Sequence, residues 1–183
     1  MNVISSFFLR AKHWQLFVLL SLCPVGQEAH FHFTRLNEIQ KARILVGVVI
    51  LLSVICFLLW LWSMGSFLSA IVPTLLKLRM AFFRFAVIYP ALYFFPFTYV
   101  WFIRSPWRPM PTLMEPFHWV AAFCMLYNLY FVSKTLAMAE TGKAVSFRDY
   151  VGPFFLIWFF PIGLWFIQPR INRIYAQRSA EHT

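Results

Sequence analysis

The residues with most chemical promise form two small groups. In QEAHFHFTR, residues 27–35, Glu28, His30 and His32 occupy alternate positions. Alternate residues of an extended segment share a face, so a carboxylate and two imidazoles can converge on one ion, a ligand set suited to zinc or iron. In LMEPFHW, Glu115 and His118 stand three apart and share one face of a helix. Glu-x-x-His is half of a carboxylate di-metal set, which also needs a second such motif and two further glutamates from facing helices. No second motif occurs in the chain.

Plainer accounts cover the same residues. Three polar groups from one short loop make a solvated turn beside a headgroup layer, because a metal centre needs an open position and a supporting shell as well. Glu115 opens an apolar stretch, where a carboxylate complements the helix dipole, and His118 with Trp119 suits an interfacial belt. No cofactor is predicted. A b-type haem needs histidines deep in facing helices, and no apolar stretch carries one at its centre. G-x-S-x-G, H-E-x-x-H and a phosphate-cradling glycine loop are all missing from a chain with only 6 Gly. Cys23, Cys56 and Cys124 lie far apart in apolar context and form neither a disulfide framework nor a zinc site. No catalytic residue is assigned, and an enzyme is the less favoured class.

The elements that hold these groups are set by composition. Of 183 residues 61% are hydrophobic and 12% charged, against roughly 45–50% apolar and about 25% charged in ordinary globular domains. That is the composition of a membrane protein. Lys and Arg number 16 against 6 acidic residues, but they fall between long apolar runs. They read as headgroup partners and topology signals, with no nucleic-acid footprint.

About 20 apolar residues cross the hydrocarbon core, and four charge-free stretches are long enough. The sequence predicts an all-α integral membrane protein in one membrane domain, residues 1–183. Its spans are expected near 44–70, 85–103, 116–133 and 151–168. The first exceeds one perpendicular crossing, so it must tilt or break near SMGS, Ser63 to Ser66, before Pro73 ends it. In the fourth, Pro153 falls near the first turn while Pro161 and Gly163 fall mid-span, predicting a kink packed against protein. Residues 14–26 are too short an apolar run for a confident span. They suit a short embedded or interfacial helix, or a fifth span.

Mid-span polar groups are scarce. Asn128 and Tyr127 stand out: an amide in hydrocarbon needs a partner and serves as interhelical glue, or it lines a pore. Gly65 and Ser69, spaced as small-x-x-x-small, would admit a close helix neighbour. Pro169 is expected to stop the fourth span, leaving a basic amphipathic tail over 169–178 whose Arg170, Arg173 and Arg178 anchor it to an anionic surface. With four spans, Arg10, Lys12, Arg35, Lys41, Arg43, Arg104, Arg108, Arg170, Arg173 and Arg178 share one side, and Lys77, Arg79, Arg84, Lys134, Lys143 and Arg148 the other. That excess places both termini in the cytoplasm. A fifth span levels the two sides.

The blocks FLRAKHWQLF and FFLIWFFPIGLWFIQPRIN resemble segments of a family of small uncharacterised bacterial multi-pass inner-membrane proteins. The resemblance covers the two ends of the chain and implies a bacterial inner-membrane location. It carries over no activity, cofactor or functional residue. The favoured expectation is a structural or accessory subunit that packs against other membrane helices in the lipid bilayer. A small homo-oligomeric transporter or channel, lined by Asn128, Tyr127 and the kink at Pro161, is the alternative. A metal-dependent membrane enzyme built on Glu28, His30, His32, Glu115 and His118 is the third.

Overall fold

The computed structural model describes residues 3–20, 39–72, 78–104 and 112–180. These residues are helical almost throughout. Two eight-residue helices, α1 (Val3–Arg10) and α2 (His13–Leu20), precede the long α3 (Ile39–Ile71). Helix α4 (Met80–Thr98) continues into π-helical turns over Tyr99–Arg104. A 3-10 turn at Thr112–Met114 opens α5 (Glu115–Thr141), and α6 (Phe147–Trp158) and α7 (Phe160–Ala180) are the last of the described elements.

Among the described residues three helical segments are long and apolar enough to cross a membrane: Ile44–Ile71, Met80–Trp101 and Thr112–Thr141. They form an up-down-up trio. The first spans 28 residues, about 42 Å at 1.5 Å per residue, against a hydrocarbon core of about 30 Å. It runs unbroken through SMGS, so the excess length must be taken up by tilt. Its end at Ile71, two residues before Pro73, follows from proline's inability to continue a helix. At the other link, Gly142 takes the left-handed conformation (φ 66°) and donates its N–H to the Met138 carbonyl, closing α5.

The expected fourth span over 151–168 is not one helix. Helix α6 starts earlier than expected, at Phe147, where the Asp149 carboxylate accepts the Ser146 N–H at 2.7 Å in a capping box. Pro153 therefore lies inside α6 rather than in its first turn. Helix α6 ends at Trp158, and Phe159 turns the chain back. Its carbonyl accepts both the Ile162 N–H (3.0 Å) and the Gly163 N–H (2.9 Å). In an unbroken helix Leu156 and Gly163 would stand about 10.5 Å apart along the axis. Here a Cβ on Gly163 would land on the Leu156 carbonyl. The segment is a helical hairpin closed over a glycine, with Pro161 in the first turn of α7, where a missing N–H costs nothing.

Ring contacts fix the hairpin's direction. Tyr150 of α6 meets Tyr130 of α5 (5.6 Å). Phe160 of α7 meets Phe57 of α3 (5.5 Å), and further on Tyr175 meets Phe67 (5.4 Å). So α6 descends beside α5 from the end that holds the α3–α4 and α5–α6 links, and α7 climbs back beside α3 to that same end. Arg170 of α7 accordingly pairs with Glu140, at the end of α5. The tail expected to begin at Pro169 as a separate surface helix is the second half of α7, which runs through Pro169 to Ala180. Ile171 there is fully buried in the core. Neighbouring helices hold it in place, which outweighs the one backbone bond the proline removes.

The N-terminal helices are core elements as well. Phe8, Leu9, Ala11, Leu16 and Leu20 are buried against α3 and α7. His13 meets Trp165 at 4.3 Å and Arg10 lies 5.5 Å over the Tyr175 ring, so α1 and α2 meet at the end where α7 finishes. At about 12 Å, α1 is too short to cross a bilayer, and of the segment expected over 14–26 residues 21–26 fall outside the described residues.

Candidate functional site

Asn128 is fully buried on α5, and its Nδ2 donates to the Ala86 carbonyl of α4 at 2.7 Å. Ala86 stands four residues before Pro90, so its carbonyl has lost the N–H that would bond it within the helix. The amide supplies that missing donor. Its Oδ1 accepts no hydrogen bond among the described residues. Tyr127, next in sequence, turns its ring edge-on to Phe82 of α4 (4.5 Å, 84°). Both residues thus serve the α4–α5 seam.

Gly65 of α3 faces the same seam. A Cβ there would strike the ring of Phe83, which is itself stacked on Phe131 (4.2 Å, 15°). The missing side chain admits an aromatic ring of this same chain rather than a second helix backbone. Ser69, one turn on, bonds the Ser66 carbonyl (3.0 Å) and approaches Met80 Sδ at 3.9 Å.

The residue that sequence reasoning passed over is Gln168. It is fully buried near the middle of α7 and joins three elements. Its Oε1 accepts the Trp60 indole N–H at 3.0 Å, and its Nε2 donates to the Phe8 carbonyl at 2.9 Å and the Ala11 carbonyl at 3.1 Å. Phe8 and Ala11 sit where α1 ends, so this amide ties the N-terminal helices to α3 and α7. Standing directly before Pro169 and a basic run, it had the pattern of an interfacial residue. The hint was a lone amide closing the chain's most aromatic stretch.

Below the hairpin tip lies a cavity of about 430 Å3, lined chiefly by Phe57, Phe94, Ala122, Met125, Trp158 and Phe160. Ser53 is its polar contributor, and that hydroxyl already donates to the Val49 carbonyl at 2.9 Å. The cavity offers volume for apolar groups and no activated nucleophile. None of Asn128, Tyr127 and Pro161 lines it.

Glu115 and His118 lie exposed at the start of α5. His118 Nδ1 lies 3.1 Å from the Tyr93 hydroxyl, and its ring stacks on Phe97 (5.8 Å, 25°). Glu28, His30 and His32 fall outside the described residues. Among the described residues no group of three or more His, Cys, Asp or Glu is placed to hold a metal.

At the opposite end, Glu140, Arg170, Arg173 and Arg178 line a cleft of about 480 Å3 with Ile71 and Ile174. Arg170 engages Glu140 through both Nε (2.7 Å to Oε1) and Nη2, the forked geometry of a guanidinium on a carboxylate.

The sequence matches no family model, no curated protein and no solved structure.

Proposed function

We propose that this chain is a structural or accessory subunit of the membrane, one that packs against other membrane helices. The carrying observation is how the two fully buried amides among the described residues are used. Asn128 is bonded to a backbone carbonyl of a neighbouring helix, and Gln168 to a backbone carbonyl and an indole of two others. Polar groups that lined a passage or poised a reaction would instead face a cavity. Broad exposed apolar surface on the hairpin, including Phe155, Trp158, Phe159, Ile162, Trp165 and Phe166, supports the same reading. Such a surface suits lipid or a partner's helices. Purification from the native host in mild detergent, with mass spectrometry of what co-purifies, is the test. A stoichiometric unrelated membrane protein is the expected result, and a homogeneous homo-oligomer alone would overturn it.

One observation favours a small homo-oligomeric transporter as the second reading: a half-depth hairpin above a cavity. Irregular backbone at membrane depth often lines a translocation path. That reading requires Asn128→Leu to abolish flux in reconstituted vesicles. The metal-enzyme reading rests on Glu28, His30, His32, Glu115 and His118, and requires stoichiometric metal in the purified protein.

For location, the bacterial inner membrane is the proposal that the resemblance of the two end blocks supports. Orientation draws on the hairpin. Among the described residues, Arg10, Lys12, Arg79, Arg84, Lys134, Lys143, Arg148, Arg170, Arg173 and Arg178 belong to the end with both terminal helices and the two links. Lys41, Arg43 and Arg104 belong to the other. The partition differs from that of four full spans, and its bias is steeper. It supports a cytoplasmic location for both termini.

A further inference from the structure

We infer that the cleft between α3, α5 and α7 is a one-to-one site for the phosphate headgroup of an anionic lipid. The inference rests on the membrane reading and is independent of the accessory role. Among the described residues, Arg170, Arg173 and Arg178 line one concavity of about 480 Å3 with a single carboxylate, Glu140, which Arg170 and Arg173 alone outnumber. The cleft therefore carries a positive excess. Glu140 engages Arg170 through both of its carboxylate oxygens, which fixes the direction of that guanidinium. Arginine presents forked donors that match phosphate oxygens, so an ordered Arg170, with its remaining donors beside Arg173, forms a phosphate receptor.

The position of the cleft favours a lipid over free phosphate. Ile71 closes α3, the longest of the described helices, and Glu140 lies one residue before the end of α5. Both stand where hydrocarbon gives way to headgroups. Ile71 and Ile174 add an apolar wall beside the arginines, suited to the glycerol and upper acyl carbons of a phospholipid and of no use to an inorganic ion. Basic pockets between membrane helices are established headgroup sites. A surface-lying basic helix would gather anionic lipid diffusely. A cleft built by three helices selects one molecule.

The test uses the purified full-length chain in neutral detergent, with native mass spectrometry during titration by phosphatidylglycerol, phosphatidylcholine or inorganic phosphate. The expected result is one retained phosphatidylglycerol per chain, at least tenfold tighter than phosphatidylcholine and not displaced by millimolar phosphate. Arg173→Gln, an exposed residue on the cleft, is expected to weaken retention about tenfold with no change in thermal midpoint. Arg148→Gln, exposed at the same end but outside the cleft, is expected to leave it unchanged. Equal losses in the two variants would show diffuse attraction and overturn the site. Equal retention of both lipids would do the same, and displacement by phosphate would overturn the lipid assignment.

Discussion

The amide of Asn128 on α5 donates to the carbonyl of Ala86 on α4, the one acceptor that Pro90 strips of its helical donor. Two residues that look unfavourable in hydrocarbon, a proline and an amide, thus satisfy each other across a helix seam. Interhelical bonds of this kind contribute about 0.6 to 1.7 kcal/mol in membranes. Asn128→Ala is expected to destabilise the protein by about 1–2 kcal/mol, with the unpaired Ala86 carbonyl adding to the loss. In a Pro90→Ala background residue 90 regains its N–H, and the cost of Asn128→Ala should fall close to zero. Thermal unfolding of the four proteins in one detergent measures the cycle, and equal costs in both backgrounds would break the link.

Gly163 tests the hairpin turn. Gly163→Ala drives a methyl into the Leu156 backbone, which has no flexible end to move aside. The expected outcome is a loss of more than about 3 kcal/mol, the range of severe overpacking, or failure to accumulate in the membrane. Gly152→Ala is the control. A Cβ there meets nothing within 4 Å, and helix propensity predicts a gain of about 0.5–1 kcal/mol. Expression and thermal midpoint report both.

Gly65→Ala sets a methyl against the Phe83 ring, and Phe83 is held by its stack on Phe131. A cost of about 1–3 kcal/mol is expected from overpacking. Because the obstacle is a side chain, Phe83→Leu should restore part of it, so the double variant is expected to be more stable than the sum of the singles. Strict additivity would place the strain elsewhere.

Gln168→Leu removes the partner of the Trp60 indole and of two N-terminal carbonyls. Buried groups left unpaired cost about 1–3 kcal/mol each. The specific expectation is release of α1 and α2: faster proteolysis after Arg10 and Lys12 while the remaining helices stay protected. Uniform destabilisation, with no early N-terminal cleavage, would deny Gln168 its tethering role.

The long apolar helices were legible because their signal is length, and length survives any packing arrangement. Asn128 was legible as a group in need of a partner for a similar reason, since desolvation cost does not depend on the partner's identity. The partner itself was hidden, because Ala86 is a plain alanine whose acceptor exists only through Pro90 four residues on. In sequence FFPIG signals a kink, since proline with glycine marks a break without giving the chain's direction after it. Long-range pairs such as Phe160 with Phe57 and Arg170 with Glu140 reveal the reversal, and they have no periodic trace in sequence. The tail misled for a related reason. Pro169 is a helix breaker in isolation, and the neighbours that carry the helix past it come from the far ends of the chain.

The measurement that bears most directly on this account is the sidedness of the C-terminus. Single cysteines at Lys143, Ser179 and Thr112, introduced after replacing Cys23, Cys56 and Cys124, can be probed with a membrane-impermeant maleimide in intact cells and in inverted vesicles. The hairpin predicts that positions 143 and 179 label from one side and position 112 from the other. Labelling of position 179 together with 112 would mean that residues 147–180 cross the membrane, and would contradict the hairpin, the shared basic end and the arginine cleft together.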